Sequence, residues 1–304
     1  MVALTFPQVR IGDVVRCGSL QVFPLFVEDM PEVPYRLPEA GANEATITEV
    51  GSGGTVPHLE VENHSDALLL ILEGWELVGA KQNRVMNTTV LVKPKTKIKV
   101  PVSCVEAGRW HYQTRWMSYA EHIVPNELRH ELKRGVYHSL KAKRGHYSDQ
   151  SAVWHHVALA CFRLDVESPT GALAEAYEKH CRVIEDYVRG VPYVAGAVGL
   201  AVALAGKVRS VDLFGSSQIC SRMWSRLTAG FSLDAIGRAS REGEADVDDV
   251  VRYWTLVTEL PWEAVETVGE GQEFRAASER GDQGSALFYD DRLVYLSVVS
   301  PSRN

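Results

Sequence analysis

The chain has 304 residues, 45% hydrophobic and 23% charged, the balance of a soluble globular protein with a sizeable core. Its net charge of −7 gives no basic field for nucleic acid. Its longest uncharged run, Gly190 to Gly206, is too short and too interrupted by Pro192, Gly196 and Gly199 to span a membrane. Five scattered cysteines (Cys17, Cys104, Cys161, Cys181 and Cys220) form no C-x-x-C pair, and no signal-peptide pattern opens the chain, so reduced thiols in a cytoplasmic protein are expected.

Residues 8–26 read as short strands separated by turns, and the Pro- and Glu-rich 27–44 as a surface crossing. Strands are expected at 46–50 and 59–63, joined by Gly51-Ser52-Gly53-Gly54. That cluster is a hairpin loop and not a dinucleotide fingerprint, because Val56 occupies the third glycine position. Apolar segments 68–72 and 88–92 flank a polar block. Pro94 and the alternation of Ile98, Val100 and Val102 predict an antiparallel hairpin between 85–92 and 97–105. Beyond residue 118 the pattern turns helical: 127–143, a helix capped near Asp149 and running to Cys161, and one opened by Ser168-Pro169-Thr170 and reaching Arg189. A hairpin of 200–204 with 208–214, helices near 217–228 and 246–260, and strands at 263–268, 273–277, 285–289 and 292–299 complete the reading. The fold class is α+β: a β-rich N-terminal sandwich or partly open barrel, about 1–117, packed with a helical and mixed part, about 118–304, as a single domain. No internal repeat or linker is visible.

Common catalytic signatures are missing. Arg134 stands where a zinc-protease helix needs its second histidine, and adjacent His155 and His156 point about 100° apart on a helix. There is no G-x-S-x-G elbow and no P-loop. No metal and no cofactor are expected. The basic run 129–144 reads as a solvated helix face diluted by Glu127 and Glu131.

The polar block is where chemistry concentrates. It reads Glu73-Gly74-Trp75-Glu76, then Gly79-Ala80-Lys81-Gln82-Asn83-Arg84 with Asn87, and later Cys104-Val105-Glu106-Ala107-Gly108-Arg109-Trp110. Lys81, Arg84 and Arg109 suit phosphate or carboxylate groups. Gln82, Asn83 and Asn87 offer donors and acceptors for ribose hydroxyls or a base edge. Trp110, and Trp75 beside it in character, suit ring stacking. Glu73, Glu76 and Glu106 are candidate acids or bases, with Glu73 and Glu106 favoured for catalysis. Cys104 reads as a packed thiol more than a nucleophile. A buried salt-bridge network that fixes strand register is the competing reading.

The strings Gly79 to Asn87 and Val100 to Trp110 resemble the ARPP domain family, named for its association with ADP-ribosylglycohydrolases and rhodanese–phosphatase proteins. Phe23-Pro24-Leu25, Glu49-Val50, Gln150 with Val153-Trp154, Ser168 to Gly171 and Asp212-Leu213-Phe214 extend the resemblance over most of the chain. Trp75 departs from the acidic residue expected there. The resemblance implies a small-molecule, nucleotide-like ligand derived from ADP-ribose or NAD, bound or hydrolysed; the lack of a long apolar run argues against a membrane partner. Glu73, Lys81, Gln82, Asn83, Arg84, Asn87, Glu106 and Arg109 are expected to converge on one pocket.

Overall fold

The computed structural model describes residues 4–28, 33–38, 44–51, 53–236 and 243–302. Twelve strands come first: β1 (Arg10–Ile11), β2 (Val15–Cys17), β3 (Leu20–Phe26), β4 (Tyr35–Arg36), β5 (Ala45–Glu49), β6 (His58–Asn63), β7 (Leu68–Ile71), β8 (Trp75–Gly79), β9 (Arg84–Met86), β10 (Val90–Val92), β11 (Lys97–Cys104) and β12 (Met117–Ile123). Helices α1 (Asn126–Lys141), α2 (Gln150–Arg163), α3 (Ala174–Lys179) and α4 (Cys181–Gly190) follow. Strands β13 (Gly199–Leu204) and β14 (Lys207–Phe214) lead to helices α5 (Ser217–Ile236) and α6 (Val247–Glu259). The chain closes with β15 (Glu263–Val265), β16 (Gln272–Ala277), β17 (Gln283–Tyr289) and β18 (Arg292–Val299). The fold is α+β, with a β-rich N-terminal region packed against a mixed C-terminal part. No described helix is long and apolar enough to cross a membrane.

Three sheets organise the core. The largest runs β1-β3-β13-β14-β18-β17-β16-β15, with β2 also on β3. Its alternation sorts side chains to two faces. Leu20, Val22, Leu200 and Val202 enter the main core with α5, whereas Phe23, Leu25, Ala201 and Ala203 face a second core that includes Val250 and Val257 of α6. A second sheet runs β10-β7-β4, and a third β12-β8-β9-β11-β6-β5. In the third, the end strands β12 and β5 come into contact, so the sheet curls into a half-barrel. Helix ends follow local chemistry: the Asp149 side chain accepts from Ser151 and Ala152 N–H, and Asp246 with Asp249 forms a capping box on α6.

The run 129–144 is not a uniformly solvated helix face, since Arg129 and Lys133 are buried against Asp212 and Glu73. Three further expectations need correction. First, β1–β3 do not belong to a self-contained N-terminal unit. β3 pairs with β13 (Val22↔Val202) and completes the C-terminal sheet. Second, the segment 85–92 does not form one hairpin arm. β9 pairs with β11 (Met86↔Val102), but β10 turns away to pair with β7 (Val90↔Ile71). Asn87 and Thr88 explain the departure: Asn87 Nδ2 donates to His146 O at 2.9 Å and Thr88 Oγ1 to Glu273 Oε1 at 3.0 Å, partners outside the β9 ladder. Third, the helix expected from 168 to 189 starts only at Ala174 and breaks at His180. Gly171 has φ 64°, a left-handed turn that ends any helix opened at Pro169. Of the expected surface crossing 27–44, residues 29–32 and 39–43 lie outside the described residues, as does Ser52 of the glycine loop.

Candidate functional site

The turn from β8 into β9 is held by a clamp. Arg109 Nε and Nη2 donate to the two oxygens of Glu106 at 2.8 and 2.7 Å. Its remaining N–H groups reach Ala80 O (2.7 Å), Gly79 O (3.2 Å), His111 O (3.2 Å) and Asn83 Oδ1 (3.1 Å). Glu106 also accepts from Asn83 N–H at 3.0 Å and Thr170 Oγ1 at 2.9 Å. Burial pushes the Glu106 carboxyl up, but Arg109, Asn83 and Thr170 outweigh it and hold the carboxyl below its usual range. Gln82 Nε2 donates to Glu106 O at 2.9 Å. Gly79 takes φ 119°, which only glycine adopts without strain, and a Cβ there would collide with Thr114. These contacts fix the loop 109–116 against the turn.

Arg84 behaves differently. It is 0% exposed, yet Nε, Nη1 and Nη2 have no hydrogen-bond partner among the described residues. Its nearest carboxylate is Glu49, with Oε1 at 3.9 Å from Nη2. Burial pulls the guanidinium below its ordinary value, opposed by Cys104 and Glu49. Glu49 is buried as well; its Oε1 accepts from Lys81 N–H at 3.2 Å, and its Oε2 has no partner. The Trp110 ring centre lies 5.5 Å from Arg84 Cζ and 5.3 Å from Lys81 Nζ, and Tyr112 lies 5.1 Å from the same Lys81 nitrogen. Trp110, over which the Arg84 guanidinium lies, is 45% exposed. A cleft of about 620 Å³ is lined by Glu49, Glu60, Tyr112, Thr114 and Arg115; Arg84 does not line it and is linked to it through Glu49.

The other expected site residues lie elsewhere. Gly74 N–H donates to Met86 O, which puts Glu73 and Asn87 at the far end of β9 from Asn83 and Glu106. Asn83 and Asn87 flank the three residues of β9, about four strand steps or roughly 13 Å apart. Glu73 is buried against Lys133 and Ser285, with Arg275 Nη1 at 3.4 Å. Burial raises the Glu73 carboxyl, but Lys133 and Arg275 more than reverse this. Burial pulls the Lys133 ammonium below its ordinary value, opposed by the Glu73 carboxylate. Arg275 continues to Glu273 at 2.6 Å, and Glu273 to His146 at 2.9 Å. Asn87 serves structure, accepting from Ser103 Oγ at 2.7 Å. Trp75 is a core residue whose Nε1 donates to Ala120 O at 2.8 Å, with no face free for a ligand. The Cys104 thiol is fully buried and donates to Glu106 O at 3.1 Å, and burial pushes it up.

A sequence model of the ARG and Rhodanese-Phosphatase-superfamily-associated Protein domain, ARPP-1, matches residues 8–299. The chain belongs to this family. No curated protein and no solved structure matches the chain. The ARPP-1 match covers nearly the whole chain, so both the Arg84 cleft and the Glu73 network lie inside the family domain. The family name records an association with ADP-ribosylglycohydrolase.

Within this ARPP-1 domain the structure brings together Lys81, Arg84 and Trp110, with Gln82, Asn83, Glu106 and Arg109 as the adjoining clamp. Sequence reasoning missed Glu49, Tyr112 and Arg115. The signal for the last two is the run Arg109 to Trp116, which interleaves two arginines with three aromatic residues. Trp110, Tyr112 and Trp116 are all exposed, the mark of a contact surface and not of a core strand. Chemically, a buried cation, a second cation on the rim and exposed rings can hold an anion attached to a planar base.

Proposed function

We propose that the cleft beside Arg84 binds an anionic, nucleotide-like small molecule of the ADP-ribose or NAD-derived class. The observation that carries this reading is the fully buried guanidinium with no hydrogen bond among the described residues. Buried donors in native proteins are nearly always paired, and an isolated buried charge is expensive. A phosphate or carboxylate entering past Trp110 supplies the missing acceptors and the missing charge. Trp110 and Tyr112 then offer stacking faces, while Lys81 and Arg115 flank the anion. Glu106 and Arg109 hold the loop in place and take no direct part. The family association supports the ligand class, and unpaired thiols fit a cytoplasmic setting.

Thermal melting and calorimetric titration with ADP-ribose, NAD, AMP and ribose 5-phosphate test the proposal. A ligand at one hundred times its Kd adds about 2.7 kcal/mol, roughly 4 °C for a chain of this length. Arg84→Ala should abolish that shift. An unchanged response in the variant, or no response to any of the four compounds, refutes it.

A hydrolytic reading is favoured by one further observation. Glu49 Oε2 is buried beside Arg84 with no partner, which suits an acid or base acting on a glycosidic or phosphoester bond. Glu106 and Glu73 suit that role less, since strong donors already occupy their oxygens. Glu49→Gln should retain ADP-ribose binding and remove any release of ribose or phosphate. Equal product release by wild type and variant overturns it.

A further inference from the structure

A second paired acid and base lies on β8 and β12. Glu76 is fully buried, its Oε2 lies 2.7 Å from His122 Nε2, and its Oε1 has no partner among the described residues. The pair results from an irregularity in β12. Leu77 pairs with Tyr119 but Trp75 with Ile123, so two steps along β8 face four along β12. Such bulges re-aim side chains, and this one swings His122 over Glu76. The His122 ring lies flat on Tyr177, with centroids 3.3 Å and planes 10° apart. Tyr177 is itself tied down, its hydroxyl donating to Ile123 O at 2.9 Å.

This arrangement orients the imidazole. In the neutral tautomer that donates from Nε2 to Glu76 the lone pair sits on Nδ1, and Nδ1 makes no hydrogen bond within the described residues. His122 lines a cleft of about 450 Å³ between α4 and α5, with Ile184, Val188 and Ala229 as its apolar wall. Of its charged rim, Arg189 is paired with Asp186 at 2.5 Å and Glu121 with Arg226 at 2.6 Å. Glu185 has no charged partner among the described residues, so the rim carries an unpaired carboxylate where the site beside Arg84 carries an unpaired cation.

We propose that Glu76 and His122 form a general-base site acting on small neutral esters with an apolar body. In the step we assign, a water gives a proton to Nδ1 as its oxygen bonds to the ester carbonyl carbon. The imidazolium that forms is held by the Glu76 carboxylate. The C–O bond to the leaving alcohol then breaks, its electron pair stays on the alcohol oxygen, and that oxygen takes the proton back from Nδ1. Atoms and charge balance with water and ester as the only reactants.

The probe is p-nitrophenyl acetate with the full chain, read by release of p-nitrophenolate. Cys181 is exposed and lines the same cleft, so the comparison is made in a Cys181→Ala background. That protein should release nitrophenolate faster than the same concentration of free imidazole. His122→Gln should lower the rate by about 100-fold and Glu76→Gln by about tenfold or more. Val188→Trp, which leaves the pair intact and fills the cleft, should lower it as well and covers the case in which a buried variant fails to fold. The anionic p-nitrophenyl phosphate should not be turned over. A rate no higher than that of imidazole, one unchanged in His122→Gln, or one lost entirely with Cys181 overturns the proposal.

Discussion

Replacing Arg84 with Met keeps the length of the side chain and removes the guanidinium. In the wild type that group is 0% exposed, forms no hydrogen bond among the described residues, and has its nearest carboxylate oxygen among them at 3.9 Å. The attraction at that distance is about 4 kcal/mol at an effective dielectric of ~20. The desolvation of a buried ion works against it by several kcal/mol. The two nearly cancel, so Arg84→Met should melt within about 2 kcal/mol of wild type, roughly 3 °C. Breaking a well-bonded buried ion pair costs about 3–5 kcal/mol instead. Glu49 keeps one donor, Lys81 N–H, and the double change Arg84→Met with Glu49→Gln removes its charge too; that protein should melt at or above wild type. Denaturant melts of the three proteins, each with and without ADP-ribose, provide the assay. A loss of about 3 kcal/mol or more in Arg84→Met, with the ligand response intact, refutes the reasoning and makes the cation a structural element.

Glu106→Gln should behave in the opposite way: it leaves the buried Arg109 without its carboxylate, and urea melts should show a loss on the order of 3 kcal/mol. Full stability in that variant would mean the clamp is dispensable. Acid sensitivity should follow from the carboxyls of Glu73, Glu106 and Glu273, all held below the ordinary 4.5 by their cationic and hydrogen-bonding partners. Their contribution is complete above that pH and lost as pH falls through the lower folded values, so stability measured in urea should decline below about pH 4.5. A flat profile down to about pH 3 would contradict it. Trp110→Ala should leave Tm nearly unchanged, since the ring is half exposed, while altering the affinity for ADP-ribose in calorimetry; identical affinity would remove Trp110 from the site.

Much of the fold was legible because hydrophobic period and turn chemistry agreed. The terminal hairpin is an example: β17 and β18 turn at Asp290 and Asp291, which have φ 49° and 58°, the left-handed geometry that Asp tolerates. The caps at Asp149 and Asp246 are equally local. What failed depended on distant partners. Nothing near Thr88 announces Glu273, 185 residues away, yet that bond draws β10 out of its expected hairpin. The candidate site divided for a related reason. Residues dense in sequence around β9 lie at opposite ends of a short strand, and one end is claimed by Lys133 and Arg275 from much later in the chain. Lys81, Arg84 and Trp110 came together because a two-strand turn and the end of the adjoining β11 suffice to position them. Glu49 was missed because its role comes from a sheet that curls, bringing β5 back toward β12.

The pairing of β3 with β13 also bears on how the chain acquires its structure. Leu20 lies opposite Leu204, so the first long strand has no inner neighbour until some two-thirds of the chain has left the ribosome. Until then its apolar residues stay exposed, and contacts of such long sequence separation form slowly. A fragment ending near residue 117 retains the polar turn, loses the end strand β12 of the curled sheet, and strands β3 with only its short partners β1 and β2. Fragments cut there should aggregate, and a chain whose first 28 residues are supplied as a separate peptide should recover its fold only when that peptide inserts beside β13.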